Sequence, residues 1–170
     1  MAIDVPESSA RSVVSTVVTT TEVGIRATAV EVDLTALADN ARAIAALTGT
    51  RVCAVVKADA YGHGASEVAR ALENAGAVDG FAVSLVEEGV RLRAVGVRAP
   101  IMILGPAQAR GGDEMAARDL TPVVSSPGDL DELSQVVRRR GRPLAVHVKV
   151  DTGMARLGHL GFKRCVPVRI

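Results

Sequence analysis

Aromatic residues are almost missing. The 170 residues include no tryptophan, one tyrosine and two phenylalanines. A core must therefore be filled by Val, Leu, Ile and Ala, and the chain is 48% apolar, enough to fill one. Cysteine is scarce too: Cys53 and Cys165, with no CxxC spacing and no histidine cluster, exclude a disulfide framework and argue against a metal site. Cys53 reads as a small core residue. Net charge is close to nil, 20 Lys plus Arg against 19 Asp plus Glu. That balance gives no sign of a nucleic-acid or bulk-anion partner. The one basic run, Arg138-Arg139-Arg140, closes a predicted helix, where cations suit the dipole. No run of about 18 apolar residues occurs, so no membrane span is expected. The start carries Asp4 and Glu7 and has no basic stretch before an apolar one, unlike a secretory signal. The expectation is a cytoplasmic protein.

What the chain does have is a repeating succession of short apolar runs and helical stretches. Ala29-Val30-Glu31-Val32-Asp33-Leu34 alternates as a half-buried strand does. Asp33 or Thr35 can then cap a helix to about residue 47, with Gly49 beyond its end. Leu34, Leu37, Ile44 and Leu47 are spaced to share its inward face. Val52-Cys53-Ala54-Val55-Val56 reads as a buried strand, followed by a loop and a helix over residues 65–74. Further strands are expected at 80–83, 100–105, 120–125 and 144–150, with helices at 85–95, 110–118 and 128–140. Ser126-Pro127 is the start signal of the last helix. Such alternation argues for a parallel sheet. Counting from the strand before Lys57 gives five strands, whereas a (β/α)8 barrel needs eight and about 250 residues. The arithmetic leaves an open α/β domain or a partial barrel. Residues 1–26 are expected to form a flexible extension, although 13–18 has strand propensity.

Chemistry gathers at the carboxyl end of the second strand. Active sites of parallel α/β folds lie on that edge, and Lys57 stands there. Tyr61 follows four residues later, and Gly62 and Gly64 flank His63 in a loop. A strand-end lysine is commonly a solvated cap. The sharper reading is a Schiff-base lysine, whose amine must lose its proton to attack an aldehyde, a state that partial burial favours. Tyr61 could then reach a phosphate with its hydroxyl, and the glycines would admit close backbone approach. Composition leaves both readings open.

Two motifs favour the second. Val56-Lys57-Ala58-Asp59-Ala60-Tyr61-Gly62-His63-Gly64 resembles the pyridoxal-phosphate (PLP) attachment site of alanine racemases. Val148-Lys149-Val150-Asp151-Thr152-Gly153-Met154-Ala155-Arg156-Leu157-Gly158 resembles the Lys-x-Asp-Thr-Gly-Met-x-Arg-Leu-Gly segment of the same family. The resemblance covers roughly residues 29–160. It implies a PLP-binding barrel of fold type III over residues 27–160, present as its N-terminal part with about five of eight strands, and an end at 161–170 that is not family-like. It implies an isomerase interconverting L- and D-alanine, which supplies D-alanine for peptidoglycan. Lys57 is the implied attachment point and catalytic base. Tyr61 is implied to reach the cofactor phosphate. Arg156 matches the arginine near the cofactor's phenolic oxygen and the substrate carboxylate, a place that suits a planar, permanently charged fork. Lys149 matches a lysine that some members carry carbamylated, steadying that arginine. Asp59 and Asp151 read as loop-holding residues, His63 as a hydrogen-bonded loop residue, and His147 and His159 as structural.

The resemblance also implies what these residues do not supply. Racemisation needs a base on each face of the Cα. In the family, a homodimer of considerably longer chains, the second base is a tyrosine from the partner's β-rich domain. The 170-residue chain is thus expected to be truncated, naturally or by a shifted reading frame, to bind PLP weakly and to be inactive alone. Two alternatives stay open. One is another fold-type III enzyme, such as a broad amino acid racemase, decarboxylase or aldolase; the other is a non-enzymatic PLP-binding fragment.

Overall fold

The computed structural model of the chain describes residues 15–18, 30–106, 111–158 and 167–169. A two-stranded antiparallel pair, β1 (Ser15–Val18) and β2 (Val30–Asp33), leads into α1 (Leu34–Thr48). Of the residues with strand propensity, 15–18 thus find a partner. The remainder of the expected flexible extension lies outside the described residues, as do His159, Cys165 and most of the 161–170 end. Asp33 starts α1: its side chain accepts the Ala36 N–H at 2.9 Å. Gly49, in the left-handed region with φ of 62°, ends the helix by donating its N–H to the Ala45 carbonyl.

The main body alternates as expected. β3 (Cys53–Val55) is followed by a short turn, α2 (Lys57–Gly62), and by α3 (Ala65–Asn74). Then come β4 (Gly80–Val83), α4 (Val86–Ala94), β5 (Ile101–Pro106), α5 (Gly112–Ala117), β6 (Leu120–Val124), α6 (Pro127–Arg140) and β7 (Ala145–Val148). These five strands form a parallel sheet in the order β3-β4-β5-β6-β7. β8 (Pro167–Arg169) adds to its edge, antiparallel to β7. That last strand has no counterpart in the sequence reading. The Ser126-Pro127 signal does open α6: Ser126 Oγ accepts the Asp129 N–H, and Asp129 Oδ2 accepts the Ser125 and Ser126 N–H groups.

The helices cover one face of this sheet. Phe81, Val83, Ile101, Ile103, Leu120 and Val146 are buried there against Val68, Leu72, Leu92, Met115 and Leu133 from the helices. α4 lies close because Gly89 has no side chain: a methyl there would sit 3.0 Å from Ile103 Cδ1 and Leu120 Cδ1. Two expectations are corrected. The run before Lys57 is not buried throughout: Cys53 is exposed and Val55 is 42% exposed, whereas Val56 is buried. Side chains alternate across a strand, and Cys53 and Val55 fall on the face away from the helices. On α1, Ala38 and Ala41 form the buried stripe and Leu34 and Leu37 pack against the core, but Ile44 is exposed and Leu47 is 85% exposed. Small residues let the first half of α1 dock on α3, and its last turns run clear of the body.

Candidate active site

The backbone approaches Lys57 as a strand and leaves it as something else. The Val56 N–H donates to the Ala82 carbonyl at 2.9 Å, holding the chain to β4 up to the lysine. Residues 58–61 then all have φ between 50° and 55°, a single left-handed turn built without glycine. Each L-residue in that region costs about 1–2 kcal/mol, so the turn must be imposed by its surroundings. The open loop of the sequence reading is therefore a strained and braced turn. Ala58 N–H donates to Glu88 Oε1 at 2.7 Å. Ala60 N–H donates to the Val56 carbonyl at 3.0 Å, and the Ala60 methyl is buried. His63 donates to the Ala60 carbonyl through its backbone N–H at 3.1 Å and through Nδ1 at 2.8 Å; a carbonyl only accepts, so Nδ1 bears the hydrogen. Asp59 closes the turn: its carbonyl accepts the Gly64 N–H at 3.0 Å and its Oδ1 accepts the Ala65 N–H at 2.8 Å. Both Asp59 and His63 are thus loop-holding residues. Lys57 itself is half-buried, with Nζ 5.9 Å from the centre of the Tyr61 ring. Tyr61 is 60% exposed, and its hydroxyl has no protein partner among the described residues.

The second motif leaves the far side of the same sheet. Lys149 N–H donates to the Val124 carbonyl at 2.8 Å and prolongs the β6–β7 pairing by one step. Asp151 then folds the loop on itself: Oδ1 accepts the Gly153 N–H at 2.8 Å and the Ala155 N–H at 3.1 Å. Those backbone donors, Gly153 first and then Ala155, hold the carboxyl below its ordinary range, and the Lys149 charge adds a smaller push the same way. Gly158, with φ of 136°, passes so close that a methyl would lie 2.5 Å from the Asp151 nitrogen. Arg156 is exposed and has no ion pair among the described residues.

Lys57 and Tyr61 follow β3, and Lys149 and Arg156 follow β7. All four therefore stand on one rim, at the carboxyl ends of parallel strands. The sheet order puts β4, β5 and β6 between them, four strand spacings of about 4.8 Å each. No hydrogen bond or ion pair joins Lys57 or Tyr61 to Lys149 or Arg156 among the described residues. The donor set is two amines, a phenol and a guanidinium on the edge where α/β folds bind ligands. Such a set fits a small phosphate-bearing aldehyde: one amine to condense, and hydroxyl and guanidinium groups to meet oxyanions. No cluster of His, Cys, Asp or Glu able to hold a metal is found among the described residues, and no helix there is long and apolar enough to cross a membrane.

A cavity of about 300 Å³ opens at the opposite edge of the sheet, lined by Arg51, Cys53, Asp79, Met102, Thr121 and His147. It contains nothing of the Lys57 turn. Although Cys53 is exposed overall, partial desolvation of its thiol pushes the pKa up, away from the thiolate that reactivity requires. The residue missed by sequence reasoning is Glu88. Its only sequence signal is a glutamate three residues after Leu85, at the start of a helix, which announces a cap and gives no hint of Ala58.

Five parallel strands in sequential order, with helices packed against the sheet, define a class: α/β domains of the barrel type. Within that class the chain belongs to the alanine racemase family, since residues 32–164 match the alanine racemase N-terminal domain. It is 48% identical over 143 residues to the alanine racemase of Sorangium cellulosum, covering 79% of this chain and 37% of the relative. Its fold is similar to the crystal structure of alanine racemase from E. faecalis, with a TM-score of 0.69 and 38% identity over 75% of this chain and 35% of that one. The alanine racemase of Bartonella henselae with covalently bound pyridoxal phosphate is also similar, with a TM-score of 0.68, 30% identity, and coverage of 75% and 37%. The chain thus spans a little over a third of the length of the curated relatives it matches. The fold expectation of a partial (β/α) barrel agrees with these relatives and with the five parallel strands.

Proposed function

We propose that these residues are the cofactor-binding part of an alanine racemase. In this reading residues 27–160 are the PLP-binding portion, and the protein interconverts L- and D-alanine in the cytoplasm, supplying D-alanine for peptidoglycan. The observation that carries the reading is Lys57, half-buried at the end of β3 on a turn whose strained backbone is fastened on every side. Bound there, PLP supplies an electron sink that makes a Cα proton removable. Lys57 holds the cofactor and afterwards accepts or returns the proton on one face of the Cα. Both duties need the neutral amine. Tyr61, with a free hydroxyl four residues away, binds the phosphate. Arg156 has no protein partner among the described residues to compete for its guanidinium, so it is available to a phenolic oxygen and a substrate carboxylate. Lys149, where carbamylated, would present Arg156 with an anion. The base for the other face is proposed to come from a partner subunit in a homodimer.

Titration of PLP into the chain tests this reading. Excess PLP should give a visible absorption band distinct from that of the free aldehyde. K57A should lack the band. A band of equal strength in K57A would overturn the assignment.

A further inference from the structure

We propose that Glu88 is a positioning residue for Lys57, its carboxylate fixing the peptide that follows the lysine and so aiming the amine along the rim. The inference rests on the assignment of Lys57 as the cofactor lysine. Glu88 lies on α4, half-buried beside a small cavity of about 100 Å³ that Val56, Asp59, Val83 and Leu92 also line. Its Oε2 accepts the Ser84 N–H at 2.8 Å and the Leu85 N–H at 2.9 Å, where the chain leaves β4. Its Oε1 accepts the Ala58 N–H at 2.7 Å, where the chain leaves β3. One carboxylate therefore ties together the ends of two adjacent strands.

Capping α4 would need only the Oε2 bonds. The Oε1 bond is additional, and it reaches the peptide that joins Lys57 to the left-handed turn. The first N–H groups of a turn have no acceptor within it, so without Glu88 nothing among the described residues engages the Ala58 amide. The strained φ of 50° at Ala58 would then relax toward ordinary dihedrals. The Lys57–Ala58 peptide plane would rotate, and the direction of the lysine side chain with it. The requirement is for a carboxylate in particular. An ionised carboxyl is acceptor-only and can take three N–H bonds, whereas an amide replaces one oxygen by a donor.

The experiment uses the three lysines of the chain, Lys57, Lys149 and Lys163, as reporters on one another. The full chain is treated with PLP and borohydride, and the reduced label is mapped by peptide mass. The ratio of label on Lys57 to label on Lys163 is read, which requires no turnover. E88A should lower that ratio about tenfold or more, the scale of a lost hydrogen bond to a charged group. E88Q should fall between E88A and the unaltered protein. E87Q, at the exposed neighbouring carboxylate of α4, should leave the ratio unchanged. A merely structural Glu88 would lower stability without changing the ratio in protein that still gives the folded circular dichroism spectrum, and that result overturns the proposal. Should both Glu88 variants unfold, amide exchange of the unaltered protein decides. An Ala58 amide as protected as that of Ala60 supports the bond, and free exchange at Ala58 refutes it. Absence of label on Lys57 in the unaltered protein would instead overturn the assignment of Lys57, and the inference with it.

Discussion

The two halves of the rim differ in what holds them. The Lys57 turn carries four left-handed residues and, besides its own bonds, is tied to neighbouring elements, by Glu88 on α4 and, just before it, by the Ala82 carbonyl on β4. The loop carrying Arg156 is fastened mainly by its own Asp151, and residues 152–157 are exposed. A strained backbone persists where neighbouring elements over-determine it. A loop that satisfies itself can open without disturbing the sheet. On the proposed function, this presets the amine and leaves the guanidinium able to adjust to a ligand.

The comparison can be broken most severely at Ala58. Proline fixes φ near −65° where Ala58 has 50°, and it removes the N–H that Glu88 accepts. A58P should cost about 3 kcal/mol or more in urea unfolding; an unchanged midpoint would mean that the left-handed turn does not form. Next comes Gly158. G158A places a methyl against the Asp151 backbone at a positive φ, a strain of roughly 1–3 kcal/mol. Because the loop is exposed, most of that strain should be relieved by local opening. Gly153 and Ala155 amides should exchange faster while the urea midpoint moves less than in A58P. An equal shift of the midpoint would deny the loop its independence.

Smaller effects sharpen the contrast. A58G keeps the backbone bond to Glu88 and relieves the left-handed penalty of about 1–2 kcal/mol, against an entropy cost of about 0.5–1 kcal/mol. It should therefore stabilise the fold by up to about 1.5 kcal/mol, and a loss in thermal or urea unfolding would count against the turn. The smallest effect is that of acid on the Arg156 loop. Asp151 has a folded-state pKa below its unfolded value, so its contribution is present above the ordinary carboxyl range and is lost as pH falls through the lowered value. Gly153 amide exchange, corrected for its intrinsic pH dependence, should accelerate only in that acid window. D151N should remove the pH step.

Much of this was legible in the residues. The β-branched runs marked five parallel strands, Asp33 and Ser126-Pro127 marked helix starts, and Lys57 and Arg156 stood out through their motifs. The left-handed turn was not legible, because Ala-Asp-Ala-Tyr contains no glycine and its geometry depends on an acceptor thirty positions away at Glu88. The exposure of Cys53 and Val55 was hidden for a related reason. A continuous apolar run looks the same whether one face or both are covered, and only the tertiary arrangement decides. Leu47 has the spacing of an inward residue, yet the body that α1 docks on ends before reaching it.

The most direct test of the preset amine is borohydride reduction of the chain with a limiting amount of PLP, followed by mapping of the label. The account predicts that Lys57 takes nearly all of it, ahead of Lys149 and Lys163. Label shared evenly among the three lysines would contradict it.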